Sequence, residues 1–191
     1  PGTNSYGLQI WSLEQITSWI REAWSYDLEV SVHALGDQAS FLLAQATRSV
    51  WETGQRGVLN IEHAEVVRPE TFEILRGIPT VFHMQPCHWN SDRLWLQSKL
   101  GELYQYAFPW ARAREQGFTV LWGSDAPIEE PSLFANEFAL NQSKREGIPA
   151  FPLEWWQPHS HPHVSWGADC VTEISEGTIE RVLFDGEFII G

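Results

Sequence analysis

The chain has 191 residues, 43% of them hydrophobic, and its 12 basic against 25 acidic residues leave a formal charge of −13. That length and apolar content suit one domain with a real core and exclude a disordered chain. The acidity argues against nucleic acid as a partner, since phosphate binding needs clustered Lys and Arg, and no apolar run approaches the roughly 20 residues that span a membrane.

Residues 12–25 read as a helix, with Ser12 as N-cap, Gln15 three residues on, and Leu13, Ile16, Ile20 and Ala23 at helical spacing. Residues 28–33 read as a strand. A helix over 37–52 follows, carried by Phe41, Leu42, Ala46 and Val50 and closed by Gly54. Residues 58–63 form the next strand. Pro69 suits the first turn of a helix that Gly77 ends. After a strand over 79–84, a long loop from Gln85 contains Pro86, His88 and Asp92. Helices near 93–100 and 109–116, a strand over 118–123 and a helix over 132–145 complete the series.

Four β/α units in a row imply parallel pairing with right-handed crossovers. The sheet is then either open and doubly wound or part of a barrel. No GxGxxG or P-loop follows a strand, so nucleotide binding gains no support. After Gly147 the pattern changes. Residues 148–170 are rich in Pro, His and Trp and show no period. The tail reads VTEISEG, TIERVLF and DGEFIIG, with Asp185-Gly186 as a hairpin signal. The expected division is a β/α core over 1–147, an irregular connector over 148–170 and β strands over 171–191.

Of the eleven tryptophans, Trp155, Trp156 and Trp166 fall in the connector. Core packing or subunit contact is the commoner use of such residues. Cys87 and Cys170 fit no CxxC spacing. Two free thiols in a cytoplasmic protein is the preferred reading, with a disulfide as the alternative. His159, His161 and His163 in HSHPH read as an exposed loop with weak affinity for transition metals, or as ligands from an unusual place.

Three residues stand just past strand-like runs: His33 after LEVSV, His63 after VLNIE and Asp125 after FTVLWGS. Two imidazoles and a carboxylate at the C-terminal ends of successive strands make a set of metal ligands at the end of a β/α fold where chemistry is done. Each residue also has a plainer reading. His33 alone fits a satisfied polar residue at a strand end, with Asp37 as a helix N-cap. Asp125 alone fits a turn former before Pro127. Gln85, His88 and Asp92 stand above the same face, either to meet substrate or to cap helices.

HALGDQA, IEHAE, QPCH with a downstream Asp, and GSDAP, in this order, resemble the amidohydrolase superfamily, and within it amidohydrolase family 3. The likeness runs over residues 28–135, and the terminal β segments resemble the family's small β-sandwich. It implies a distorted (β/α)8 TIM-type barrel, of which this chain is the second half, with a small C-terminal β appendage. The implied activity is metal-dependent hydrolysis of carbon–nitrogen bonds in amide-like small molecules. His33 and His63 are then metal ligands, and Asp125 binds metal and handles the proton; beside that resemblance, the position of the segments gives His88, Gln85 and Asp37 as expected substrate contacts. Zinc suits such ligands best, with iron, manganese or nickel as alternatives.

The family pattern begins with an HxH pair and often carries a bridging lysine. No histidine precedes His33 and no lysine precedes Lys99. Four β/α units do not close an eight-stranded barrel. The expectation is a fragment of a longer enzyme that supplies the N-terminal half. The alternatives are a half-barrel that associates with itself or another chain, and a degenerate protein without catalysis.

Overall fold

A computed structural model describes residues 8–151, 170–175, 178–184 and 187–190. Strands β1 (Val30–Ala34), β2 (Leu59–His63), β3 (Thr80–Met84) and β4 (Thr119–Trp122) form one sheet in the order β1-β2-β3-β4. Every pairing is parallel, with Val30 beside Leu59, Leu59 beside Thr80 and Val81 beside Thr119. Spatial order follows chain order, so the sheet shows no reversal of the kind that marks a doubly wound nucleotide fold.

The helices are α1 (Leu13–Ser25), α2 (Asp37–Glu52), α3 (Pro69–Leu75), α4 (Pro86–Leu100), α5 (Trp110–Glu115) and α6 (Leu133–Arg145). The cap expected for α1 is present in full. The Ser12 hydroxyl accepts from the Gln15 backbone N–H, and the Gln15 side chain accepts from the Ser12 N–H. Pro69 opens α3, while Gly54 and Gly77 take the positive φ values of 94° and 78° that follow α2 and α3.

Side chains alternate across each strand. One set, including Leu59, Ile61, Phe82, Met84 and Trp122, packs with Leu43, Val50, Phe72, Leu75 and Trp110 into a single buried cluster. Each such side chain contributes roughly 1.5–3 kcal/mol by leaving water. Core packing is the observed use of Trp24, Trp89, Trp110 and Trp122, all of them buried. Trp24 lies so close to Gly57 that a Cβ there would overlap the indole.

The other set is mostly polar, with Val81 and the buried Leu121 as its apolar members in β3 and β4. The Ser31 hydroxyl donates to Glu62 Oε1 at 2.7 Å, the Asn60 amide donates to Glu29 Oε2 at 3.0 Å, and His83 Nε2 lies 3.1 Å from Asn60 Oδ1. Parallel sheets usually carry apolar residues on both faces. Here the second face is dominated by polar residues instead.

The structure corrects the expected loop after Gln85. Helix α4 begins at once at Pro86, whose fixed φ suits a first turn. The apolar residues of α4 are spread round its axis: Trp89 and Leu96 are buried while Leu94 is 85% exposed. No apolar stripe therefore announced it. A 3-10 segment, Gly101–Tyr106, separates α4 from α5. The expected connector also starts later than residue 148, because Ile148, Ala150 and Phe151 pack against the core. Trp155, Trp156, Trp166, His159, His161 and His163 lie outside the described residues. Strands β5 (Cys170–Ser175), β6 (Thr178–Phe184) and β7 (Glu187–Ile190) form an antiparallel sheet with Phe184 opposite Glu187, as the hairpin signal implies.

Candidate functional site

The site is built at the C-terminal ends of the strands. His33 closes the polar face of β1. Strict alternation places His63 at the end of β2 with Leu59 and Ile61, on the opposite face. Yet the two rings stack, with centroids 4.9 Å apart and planes inclined by 25°. His63 departs from strand geometry to do this: its φ is 71°, and Ala64 follows at 48°. Asp125 has φ 56°. Left-handed backbone at non-glycine residues costs energy and clusters at functional sites. Two of the three residues singled out from the strand ends carry it.

His33 Nδ1 lies 2.6 Å from His63 Nε2. On the far side of the same ring, His63 Nδ1 lies 3.2 Å from Gln85 Oε1. The Gln85 amide nitrogen donates to the His83 carbonyl at 3.3 Å, which turns the amide oxygen toward His63. A neutral His63 therefore donates from Nδ1 and keeps a lone pair on Nε2, the arrangement that suits a metal ligand held by an outer partner. Gln85 is buried, and both ends of its amide are engaged within the protein.

His88 occupies the first turn of α4. Its ring stacks on His63 at 5.9 Å, so three imidazoles lie in a row. Glu65 Oε1 accepts from His88 Nδ1 at 3.1 Å, and both side chains are largely buried. His88 Nε2 is buried, has no hydrogen-bond partner and stands 3.9 Å from Asp125 Oδ2. The Glu65 hydrogen bond raises the His88 pKa above its ordinary 6.5, and the charges of Glu65, Asp125 and Glu129 add to this against the opposing effect of burial. Asp92, one turn along α4, has its carboxyl pushed up by burial and by Glu65 and Glu129, with His88 acting the other way.

The structure thus brings the expected ligands together as two groups. His33 joins His63, while Asp125 sits beside His88. The strand order explains the split, because β4 is two strands from β2, or roughly 10 Å at the usual strand spacing. Asp37 is in neither group. It is the first residue of α2, with Gly36 as the N-cap, and its carboxylate pairs with Arg68 Nε at 3.0 Å. Cys87 is a free buried thiol that donates to Asn136 Oδ1 at 3.3 Å, and burial, then the charges of Glu129 and Glu130, push its pKa up. Glu65 was missed by the sequence reading although it lies in the IEHAE motif. The available signal was an acid two residues beyond the strand-end histidine.

Among the described residues no three His, Cys, Asp or Glu side chains converge closely enough to hold a metal. Two ligands of a tetrahedral zinc lie about 3.3 Å apart, given a Zn–N bond of about 2.0–2.1 Å. The His33–His63 nitrogens are closer than that, so they would separate by well under 1 Å to share an ion. Their chemistry, and the orientation imposed by Gln85, fit a divalent metal as part of a donor set.

Four parallel strands in chain order, joined by helices and with two histidines meeting at adjacent strand ends, define the class as a β/α fold with its site at the strand ends. The amidohydrolase family model matches residues 3–146, and the chain belongs to that family. It is 32% identical over 150 residues to the putative amidohydrolase YtcJ of Bacillus subtilis (strain 168), matching 76% of this chain and 28% of that protein. It is 30% identical over 100 residues to protein LONG AFTER FAR-RED 3 of Arabidopsis thaliana, matching 51% of this chain and 17% of that protein. Among solved structures it resembles an uncharacterized metal-dependent hydrolase from Pyrococcus horikoshii OT3, with TM-score 0.61 and 25% identity, over 74% of this chain and 28% of the other. A likeness to the corresponding Pyrococcus furiosus structure, with TM-score 0.61 and 24% identity, covers 71% of this chain and 28% of the other. The chain thus spans 28% of the length of the Bacillus relative. Among the described residues no helix is long and apolar enough to cross a membrane.

Proposed function

We propose that this chain is the second half of a (β/α)8 barrel within a longer metal-dependent hydrolase that cleaves carbon–nitrogen bonds of amide-like small molecules. The observation that carries the reading is the meeting of His33 Nδ1 and His63 Nε2 at adjacent strand ends, with Gln85 orienting the second ring. The sequential parallel order of β1 to β4 supports a barrel segment.

His33 and His63 would hold a divalent ion, zinc first by ligand chemistry, with remaining ligands from Asp125 and from the rest of the longer protein. Water activation near neutral pH and polarisation of the scissile carbonyl are the chemistry such an ion supplies when bound. Asp125 takes the proton of the attacking water and returns it to the leaving nitrogen. His88 presents Nε2 to the substrate from beside Asp125. Gln85 keeps His63 in the tautomer that leaves Nε2 free.

The test is hydrolysis by the zinc-loaded longer protein of a panel of N-acyl amino acids, ureas and cyclic amides. Turnover that a chelator abolishes, that zinc restores and that His63→Ala removes is the expected result. Turnover indifferent to chelation would overturn the reading.

A second reading, a non-catalytic half-barrel that works by association, draws on the polar face of the sheet and the free edges of β1 and β4 among the described residues. It requires an oligomer or complex with an N-terminal half. A stable monomer by sedimentation would end it.

A further inference from the structure

We propose, resting on the hydrolase reading above, that Glu65 is a positioning residue that fixes the His88 ring with its Nε2 edge toward Asp125. Glu65 is itself firmly placed. Its backbone carbonyl accepts from the Phe108 N–H at 2.6 Å, and the next residue, Val66, donates to the Leu35 carbonyl at 2.9 Å. The left-handed pair His63 and Ala64 turns the chain just before it. That turn aims the carboxylate at α4 rather than along the strand.

His88 is gripped from three directions. Its backbone N–H donates to the Gln85 carbonyl at 3.1 Å, its ring face lies on His63, and its Nδ1 edge meets Glu65. The remaining edge is Nε2. A buried polar atom with no partner is rare and calls for an explanation. The 3.9 Å from Nε2 to Asp125 Oδ2 is too long for a hydrogen bond and leaves the two groups flanking one position. A substrate atom placed there meets both at once. Without Glu65 the ring is free to turn its proton to Nε2 and close toward Asp125, which removes that position.

The test is long-range proton–nitrogen NMR of the histidine-labelled intact chain, without metal, at a pH that leaves every imidazole neutral. The wild type is expected to show His88 protonated at Nδ1, because the tautomer follows the hydrogen bond made by the other nitrogen. Glu65→Ala is expected to lose the Nδ1–H signal in favour of Nε2–H. Glu65→Gln, whose amide oxygen still accepts, is expected to retain it. A wild-type His88 protonated at Nε2 overturns the proposal without any variant, and so does an unchanged tautomer in Glu65→Ala. The readout needs neither metal nor substrate. Chelator-indifferent hydrolysis therefore removes the hydrolase reading alone, whereas an Nε2-protonated His88 in a chelator-sensitive enzyme removes the role of Glu65 alone.

Discussion

Under the helices, Leu59, Ile61, Phe82 and Trp122 share one face of the sheet and belong to the buried core cluster. Across the same strands, Ser31, Asn60, Glu62 and His83 hold one another by hydrogen bonds at the edge of solvent, and His33 continues that row to the site. The strands are identical in both descriptions, and only the parity of the residue differs. The apolar parity holds the fold. The polar parity contributes little stability, since exposed polar pairs are worth about 0–1 kcal/mol. It is therefore free to carry chemistry.

The largest effect expected is on the apolar face. Phe82→Ala should lower unfolding free energy by about 3–5 kcal/mol in denaturant titration, and a loss below about 1 kcal/mol would break the distinction between the faces. Gly57→Ala comes next, at about 1–3 kcal/mol, because the added methyl overlaps buried Trp24. The Glu65–His88 pair gives a smaller effect with a definite sign. The fold raises the His88 pKa above 6.5, chiefly through the Glu65 hydrogen bond. Its stabilisation is fully present below that ordinary value and is lost as pH rises through the elevated one. The stability gap between wild type and Glu65→Ala should therefore be widest in mild acid and shrink toward alkaline pH, with about 1 kcal/mol as a ceiling after solvent screening. A gap that grows with pH would contradict the assignment.

The smallest effects belong to the open face and the rim of α4. His33→Ala should change stability by no more than about 0.5 kcal/mol, since the side chain is exposed. Asp92→Asn should stabilise slightly at neutral pH, by a few tenths of a kcal/mol at about the scale of exposed charge effects. The reason is that burial, Glu65 and Glu129 all disfavour its charged form.

The same parity governs how much the sequence disclosed. Alternation and helical spacing located all four strands of the main sheet, because one face of each is buried. The strand ends pointed to His33, His63 and Asp125, and the structure sets the first two side by side and the third near His88. Their grouping was not legible, since it depends on strand order and on the left-handed turn at His63 and Ala64. No glycine marks that turn, so the sequence shows an acid two residues beyond His63 without showing that it swings toward His88. Helix α4 was hidden by its scattered apolar residues, and with it the placement of Gln85 at the α4 N-cap as a partner of His63. Asp37, read as a substrate contact or a helix N-cap, is instead the first residue of α2 and pairs with Arg68.

Zinc titration of the intact chain by calorimetry, in wild type and in His33→Ala, His63→Ala and the double variant, tests the central claim most directly. The paired imidazoles predict binding by the wild type, a loss of roughly tenfold or more in each single variant, and none in the double variant. Zinc affinity that survives the double variant, or a wild type that takes up no zinc, would contradict the claim that this strand-end pair is a metal-holding site.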